Sequence, residues 1–182
     1  MQQDMLMFFG KTYKIPTIAL RCFNVYGPRQ SLSNPYTGVT AIFISRIKNN
    51  QPAIVYEDGA QSRDFISVHD VVDALILALE KNTADYQVIN MGSGHPTSIK
   101  EIAETISRLL GKSEMVKISK EFRKNDIRHC FADVSKAKKI LSWKPKITLT
   151  DGFKELIEWS ANEKAVDNFS SAEKELKTKG LL

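Results

Sequence analysis

Asparagine and arginine side chains, such as those of Asn24, Arg63 and Arg123, are of types that can bind phosphate. An arginine presents a rigid fork of donors that meets phosphate oxygens two at a time, which a lysine does not. Asn24 directly follows an apolar run, and its amide can donate to a phosphate oxygen. Each has a plainer alternative: an asparagine that stops a strand and opens a turn, and an arginine held in a surface ion pair. Other chemistries are poorly supplied. His69, His95 and His129 have no ligand spacing, so no metal is assigned. His129 and Cys130 are neighbours on a short apolar stretch and point to opposite faces if it is a strand. No Ser-His-Asp or Cys-His arrangement stands out, and no catalytic residue is assigned to this chain.

The elements that must position these residues follow from periodicity. Ile15 to Leu20 reads as a buried strand that empties into Asn24, Tyr26, Gly27-Pro28 and Arg29. Polar groups just past a strand's carboxyl end lie where open α/β sheets bind ligands. Met1 to Tyr13 reads as a helix with Met5, Leu6, Phe8 and Phe9 on a broad apolar face that something must cover. Gly38 to Asn49 is amphipathic, with Val39, Ile42, Phe43 and Ile47 at helical spacing. Pro52 to Tyr56 and Phe65 to Val68 are strands by pattern. Ser67-Val68-His69-Asp70 has capping-box form and opens a helix to about Lys81, whose buried face is Val71, Val72, Leu75, Ala78 and Leu79. Tyr86 to Met91 is a strand. Ser98-Ile99-Lys100-Glu101 caps a helix that Gly111 ends. Met115 to Ile118 and Arg128 to Ala132 are short strands around a turn at Lys124-Asn125-Asp126. Ser135 to Leu141 and Leu149 to about Glu163 are helices, and Ser170-Ser171-Ala172-Glu173 caps one more in a tail without chemistry. Strands alternating with helices give an α/β fold.

Length and composition narrow the class. A chain of 182 residues, 42% hydrophobic, can bury one full core or two small ones. It contains no apolar run long enough for a membrane span and no signal-peptide pattern, so a cytoplasmic location and no membrane partner are expected. Two cysteines without close spacing read as small buried hydrophobes. Residues 111 to 146 hold eleven Lys or Arg against four Asp or Glu, although the whole chain is only +5. Such a basic segment faces nucleic acid, a membrane surface or a small anion, or is simply solvated. Aromatic residues are sparse within it, and no nucleic-acid partner is expected.

Several motifs in order carry a resemblance. Arg21-Cys22-Phe23-Asn24-Val25-Tyr26-Gly27-Pro28-Arg29-Gln30, then Asn34-Pro35-Tyr36-Thr37-Gly38-Val39, then Asp58-Gly59-Ala60-Gln61-Ser62-Arg63-Asp64-Phe65, then Asn90-Met91-Gly92-Ser93-Gly94 resemble the extended short-chain dehydrogenase/reductases. These are NAD-dependent nucleotide-sugar epimerases and dehydratases, and the likeness is greatest to the UDP-glucose/UDP-galactose 4-epimerases. The resemblance implies the C-terminal portion of a Rossmann-like fold, its last parallel strands plus a small α/β substrate-binding domain, with the N-terminal nucleotide-binding half absent. Residues 1–35 and 60–92 would belong to the NAD-binding domain, 36–59 and 93–160 to the nucleotide-sugar domain, and 161–182 to a helical tail.

The resemblance also implies roles. In the family, NAD takes hydride from sugar carbon 4 while a tyrosine of a Tyr-x-x-x-Lys pair takes the hydroxyl proton. No tyrosine here is followed four residues later by lysine, and no glycine-rich dinucleotide loop is present, so activity and NAD binding by this chain alone are not expected. Phe23 would lie near the nicotinamide and Asn24 would touch cofactor or substrate. A UDP-sugar would be held by Asn24, by Thr37, Gly38 and Val39 at a helix N-terminus, by Ile54 and Tyr56 beside the uracil, and by Arg63, Arg123 and Asp126 at the pyrophosphate. Ile54 reads equally well as core. Two departures stand out. Arg123-Lys124-Asn125-Asp126 replaces the usual Arg-Pro-Gly-Asp, and Asn125 tolerates the left-handed conformation that such a turn needs. Glu57 stands where glycine is common, and its carboxylate either tightens the turn or repels phosphate. The expected partners are a UDP-sugar and either an N-terminal half or a second copy forming a homodimer.

Overall fold

The computed structural model describes residues 2–34 and 38–182, so the Thr37 assignment lies outside the described residues. Helix α1 (Gln2–Thr12) leads to strand β1 (Ala19–Cys22). The strand begins four residues later than the apolar run suggests, because Lys14 turns left-handed and the Ile15 N–H closes back on the Gly10 carbonyl at 2.8 Å. β1 pairs in parallel with β5 (Val88–Met91), which puts Arg21 opposite Asn90.

Strand β4 (Ser62–Ser67) is the hub of the second sheet. Its C-terminal half runs parallel to β2 (Asn24–Tyr26), with Asn24 opposite Phe65. Its N-terminal half lies between antiparallel β6 (Pro96–Ser98) and parallel β8 (His129–Cys130). A third, two-stranded parallel sheet joins β3 (Ala53–Val55) to β7 (Val116–Ile118). Asn24 and Arg63 are thereby set on adjacent strands.

Two cores stand behind these sheets. In the first, α2 (Val39–Lys48), α4 (Ile99–Leu109) and α6 (Leu149–Ser160) bury Phe43, Ile44, Ile47, Ile102, Ile106, Phe153 and Leu156 around β3. In the second, Val71, Ala74 and Ala78 of α3 (Val68–Glu80) and Ala137 and Leu141 of α5 (Ser135–Leu141) pack with Ile89, Met91 and Trp143. Fully burying a side chain of this kind contributes about 1.5–3 kcal/mol, so each core supplies a large favourable term.

Helix α3 buries a narrower face than the sequence suggests. Val71, Ala74 and Ala78 sit inward, whereas Val72, Leu75 and Ile76 are half-exposed and Leu79 is 87% exposed. The helix carries two apolar stripes, at 71/74/78 and at 72/75/76/79, and the small side chains of the first allow closer approach to the sheet. Its cap also differs from the box form. Ser67 Oγ accepts the His69 N–H at 3.3 Å, but the buried Asp70 carboxylate turns away to accept from the backbone of Lys146 at 2.9 Å and Ile147 at 3.2 Å. The box at α4 holds at its N-cap, where Ser98 Oγ accepts from the Glu101 N–H at 3.1 Å. Gly111 ends that segment with φ +70.

The tail is a built element. Helix α7 (Phe169–Thr178) has Asn168 as its N-cap, two residues before Ser170; the Asn168 side chain makes no capping hydrogen bond, and Asp167 Oδ1 instead accepts from the Phe169 N–H at 3.0 Å. The segment leading into it is tied to the first core: Asn49 Nδ2 donates to the Ala165 carbonyl at 3.0 Å, and Lys48 Nζ donates to the carbonyls of Ser160 and Glu163. Asn168 Nδ2 donates to the Ser33 carbonyl at 2.7 Å. Among the described residues no helix is long and apolar enough to cross a membrane.

Candidate functional site

A cavity of about 310 Å³ opens between the second sheet, α2 and α7, within the size range of small-molecule sites. Asn24 and Arg63 enter it from the paired strands, Val39 from the first turn of α2, Ile54 and Tyr56 from β3 and its exit, and Arg123 and Asp126 from the turn before β8. Seven of the residues singled out in the sequence therefore share one wall. Phe23 and Gly38 do not line it. Phe23 is half-buried, with its N–H bonded to the Met91 carbonyl at 3.0 Å, and Gly38 is the exposed N-cap of α2.

The two arginines differ in what they have left to give. Arg63 donates from Nη1 to the Ser62 carbonyl at 2.8 Å and the Arg128 carbonyl at 3.3 Å, and from Nη2 to Asp126 Oδ1 at 2.7 Å. Three of its five N–H groups are thus committed within the protein, and two remain for a ligand. Asp126 serves first as the partner that orients Arg63. Arg123 is exposed and makes no side-chain hydrogen bond or ion pair among the described residues, so its whole fork is available. The turn between them forms as expected of its sequence: Asn125 has φ +64, and the Asp126 N–H reaches the Arg123 carbonyl at 3.2 Å.

Glu57 occupies a left-handed position, φ +53, which explains why glycine is comfortable there and costs a non-glycine residue about 1–2 kcal/mol. Its carboxylate faces Arg128, at 2.5 Å, and not the cavity. Arg128 also holds Asp58 at 2.6 Å and so closes the turn between β3 and β4. Hydrogen bonds from Arg128 and from the Ala60 N–H pull the Asp58 carboxyl down to about 2. Arg128 escapes a reading of local motifs because its partners lie 70 and 71 residues upstream.

Tyr56 is pushed up to about 12, chiefly by burial and then by the charges of Glu173 and Glu121. The fold favours the neutral phenol, so its contribution to stability is full below the ordinary value of 10 and is lost as pH rises from 10 to 12. In a spectrophotometric titration, Tyr56→Phe is expected to remove absorbance gained near pH 12. Loss of a step near pH 10 contradicts the assignment.

The tail supplies residues that motif reading left out. Phe169, Ala172, Glu173 and Leu176 of α7 line the cavity, and their 169/172/176 apolar spacing is that of one helix face. Gln61 lines it too, donating from Nε2 to the Tyr56 carbonyl at 3.1 Å while its buried Oε1 has no partner among the described residues. Among the described residues, no group of three or more His, Cys, Asp or Glu is placed to hold a metal. No glycine-rich cradle for a dinucleotide is present in the sequence, and Phe23 stands outside the cavity, so these residues do not by themselves fit NAD.

The family described as GDP-mannose 4,6 dehydratase matches residues 1–156. A dTDP-L-rhamnose 4-epimerase of Burkholderia thailandensis is 38% identical over 162 residues, 89% of this chain and 44% of that protein. Among solved structures, UDP-N-acetylglucosamine 4-epimerase from Methanobrevibacter ruminantium, in complex with UDP-N-acetylmuramic acid, is 37% identical with a TM-score of 0.81, covering 89% of this chain and 51% of that one. The UDP-glucose 4-epimerase of Thermotoga maritima with UDP-glucose is 36% identical with a TM-score of 0.78, covering 86% and 50%. Other relatives include decarboxylases and a dehydratase. The chain spans about half the length of the relatives it matches. With its α/β architecture of parallel strand pairs, it belongs to the NAD-dependent nucleotide-sugar epimerase and dehydratase family and corresponds to the C-terminal portion of the extended short-chain dehydrogenase/reductase fold.

Proposed function

We propose that this chain is the nucleotide-sugar-binding part of an NAD-dependent 4-epimerase of the UDP-glucose/UDP-galactose type. One observation carries the reading: Asn24, Arg63 and Arg123 open onto a single cavity that also presents Tyr56 and Ile54. The carboxamide and the two guanidinium groups suit a diphosphate, and the phenol ring and isoleucine suit a flat base. The solved relatives holding UDP-glucose and UDP-N-acetylmuramic acid support a UDP-sugar as the ligand. Decarboxylases and a dehydratase of nucleotide sugars also stand among the relatives, so the 4-epimerase assignment rests on the stretch from Asn34 to Val39. NAD is the cofactor named with several solved relatives, and its hydride chemistry belongs with a Gly-rich loop and a Tyr-x-x-x-Lys pair on another polypeptide segment.

Exposed apolar surface supports a partner for this chain. Met5, Leu6 and Phe9 of α1 are about half-exposed and Phe8 is 65% exposed, and α3 adds its outer stripe. Surface of this kind marks an interaction site, here for an N-terminal half or a second copy.

Calorimetric titration with UDP tests the reading, with micromolar binding expected and a flat titration contradicting it. With UDP-galactose and NAD, the chain alone is expected to give no turnover. Turnover is expected when a chain carrying the Gly-rich loop and the Tyr-x-x-x-Lys pair is added. Epimerisation by this chain alone sinks the assignment of those missing parts.

A further inference from the structure

We propose that helix α7, which lies beyond the residues matched by the family, forms the second wall of a slot for the base of the bound nucleotide, with Phe169 facing Tyr56. The proposal rests on the nucleotide-sugar reading above. The two rings are nearly parallel, 28° apart, and their centroids stand 6.5 Å from one another. That separation is at the far end of the range for paired rings. It is also close to the roughly 7 Å that a flat ring needs between two faces, twice the contact distance of about 3.5 Å. A small outward shift of α7 admits the base.

Phe169 is held in place by a residue that does not line the cavity itself. Arg46, only 6% exposed, lays its guanidinium 4.2 Å from the Phe169 ring centre. The same side chain donates to the Pro52 carbonyl at 2.7 Å and pairs with Asp167 at 3.2 Å, two residues before Phe169. A second cavity, of about 320 Å³, adjoins the first and shares Ile54, Phe169 and Glu173 with it. Arg46 lines only the second cavity and Tyr56 only the first, so Phe169 partitions them and leaves its Tyr56 side to the ligand. Farther along α7, Lys177 pairs with Glu121 at 3.2 Å and fixes the helix against the turn after β7. Phe169 is thus a binding residue and Arg46 a positioning residue.

Calorimetric titrations of the chain with UDP and with inorganic pyrophosphate read the two ends of the ligand separately. Stacking of a base on an aromatic ring is worth enough that Phe169→Ala is expected to weaken UDP binding by about 10- to 100-fold. Pyrophosphate affinity should stay unchanged, and Phe169→Tyr should restore UDP binding. Phe169→Leu keeps apolar bulk without a ring face and should behave as the alanine variant does, which carries the comparison if the alanine chain unfolds. If the unaltered chain binds UDP and the alanine and leucine variants bind it equally well, the slot is wrong and the nucleotide reading stands. If the unaltered chain binds no UDP, both fall together.

Discussion

Replacing Asp64 with alanine is expected to lower the free energy of unfolding by about 4 kcal/mol, a large share of the 5–15 kcal/mol typical of a domain. Asp64 is fully buried and accepts four hydrogen bonds: from the Ser93 N–H at 2.6 Å, Ser93 Oγ at 2.7 Å, the Gly94 N–H at 2.9 Å and the Ala132 N–H at 3.1 Å. Three of these donors are backbone groups that no other acceptor serves once the carboxylate is gone, and each such orphan costs about 1–3 kcal/mol. The approach is close enough that a Cβ on Gly92 would stand 2.5 Å from Asp64 Oδ2. Asp64 therefore staples the Gly92-Ser93-Gly94 turn and the exit of β8 to the strand that carries Arg63. Urea unfolding followed by circular dichroism reads the effect. Asp64→Asn keeps one acceptor but turns two amide hydrogens toward donors, so an intermediate loss is expected. A loss under about 1 kcal/mol for the alanine variant contradicts this account.

Signals confined to a few neighbouring residues were legible in the sequence. The hydroxyl of Ser98 caps α4, Gly111 ends it, and Asn125 takes the left-handed turn. Signals whose partners lie far away in the chain were not. Asp70 stands at the right offset for a capping box, yet two backbone N–H groups 76 and 77 residues downstream claim its carboxylate. Helix α3 offers two apolar stripes of similar strength, and only the sheet decides which one is covered. The strand-end polar residues were legible because a strand's carboxyl end has a fixed meaning in an α/β sheet. The tail's part in the cavity was not, since the spacing of Phe169, Ala172 and Leu176 marks a helix face without saying what it packs against.

Removing the Arg123 side chain is expected to weaken UDP binding by about 30- to 150-fold while leaving the stability of the chain unchanged. Its fork is exposed and uncommitted, so truncation orphans no protein group. A bidentate contact to a diphosphate is worth about 2–3 kcal/mol, which converts to that range. Arg63 should respond differently. Truncating it breaks the 2.7 Å pair with Asp126 and withdraws donors from two carbonyls, so Arg63→Ala should cost about 1 kcal/mol of stability as well as affinity. It also leaves the Asp126 carboxylate facing the phosphates without a counter-charge. Asp126→Asn made in the Arg63→Ala background should therefore recover part of the lost affinity. Arg123→Lys keeps the charge but not the paired geometry and should fall between the parent and the alanine variant. UDP titrations and thermal melts of the four variants separate these outcomes. Equal UDP affinity in the parent and Arg123→Ala chains removes the diphosphate from this cavity, because the one guanidinium there with every donor to spare would then be making no contact with it.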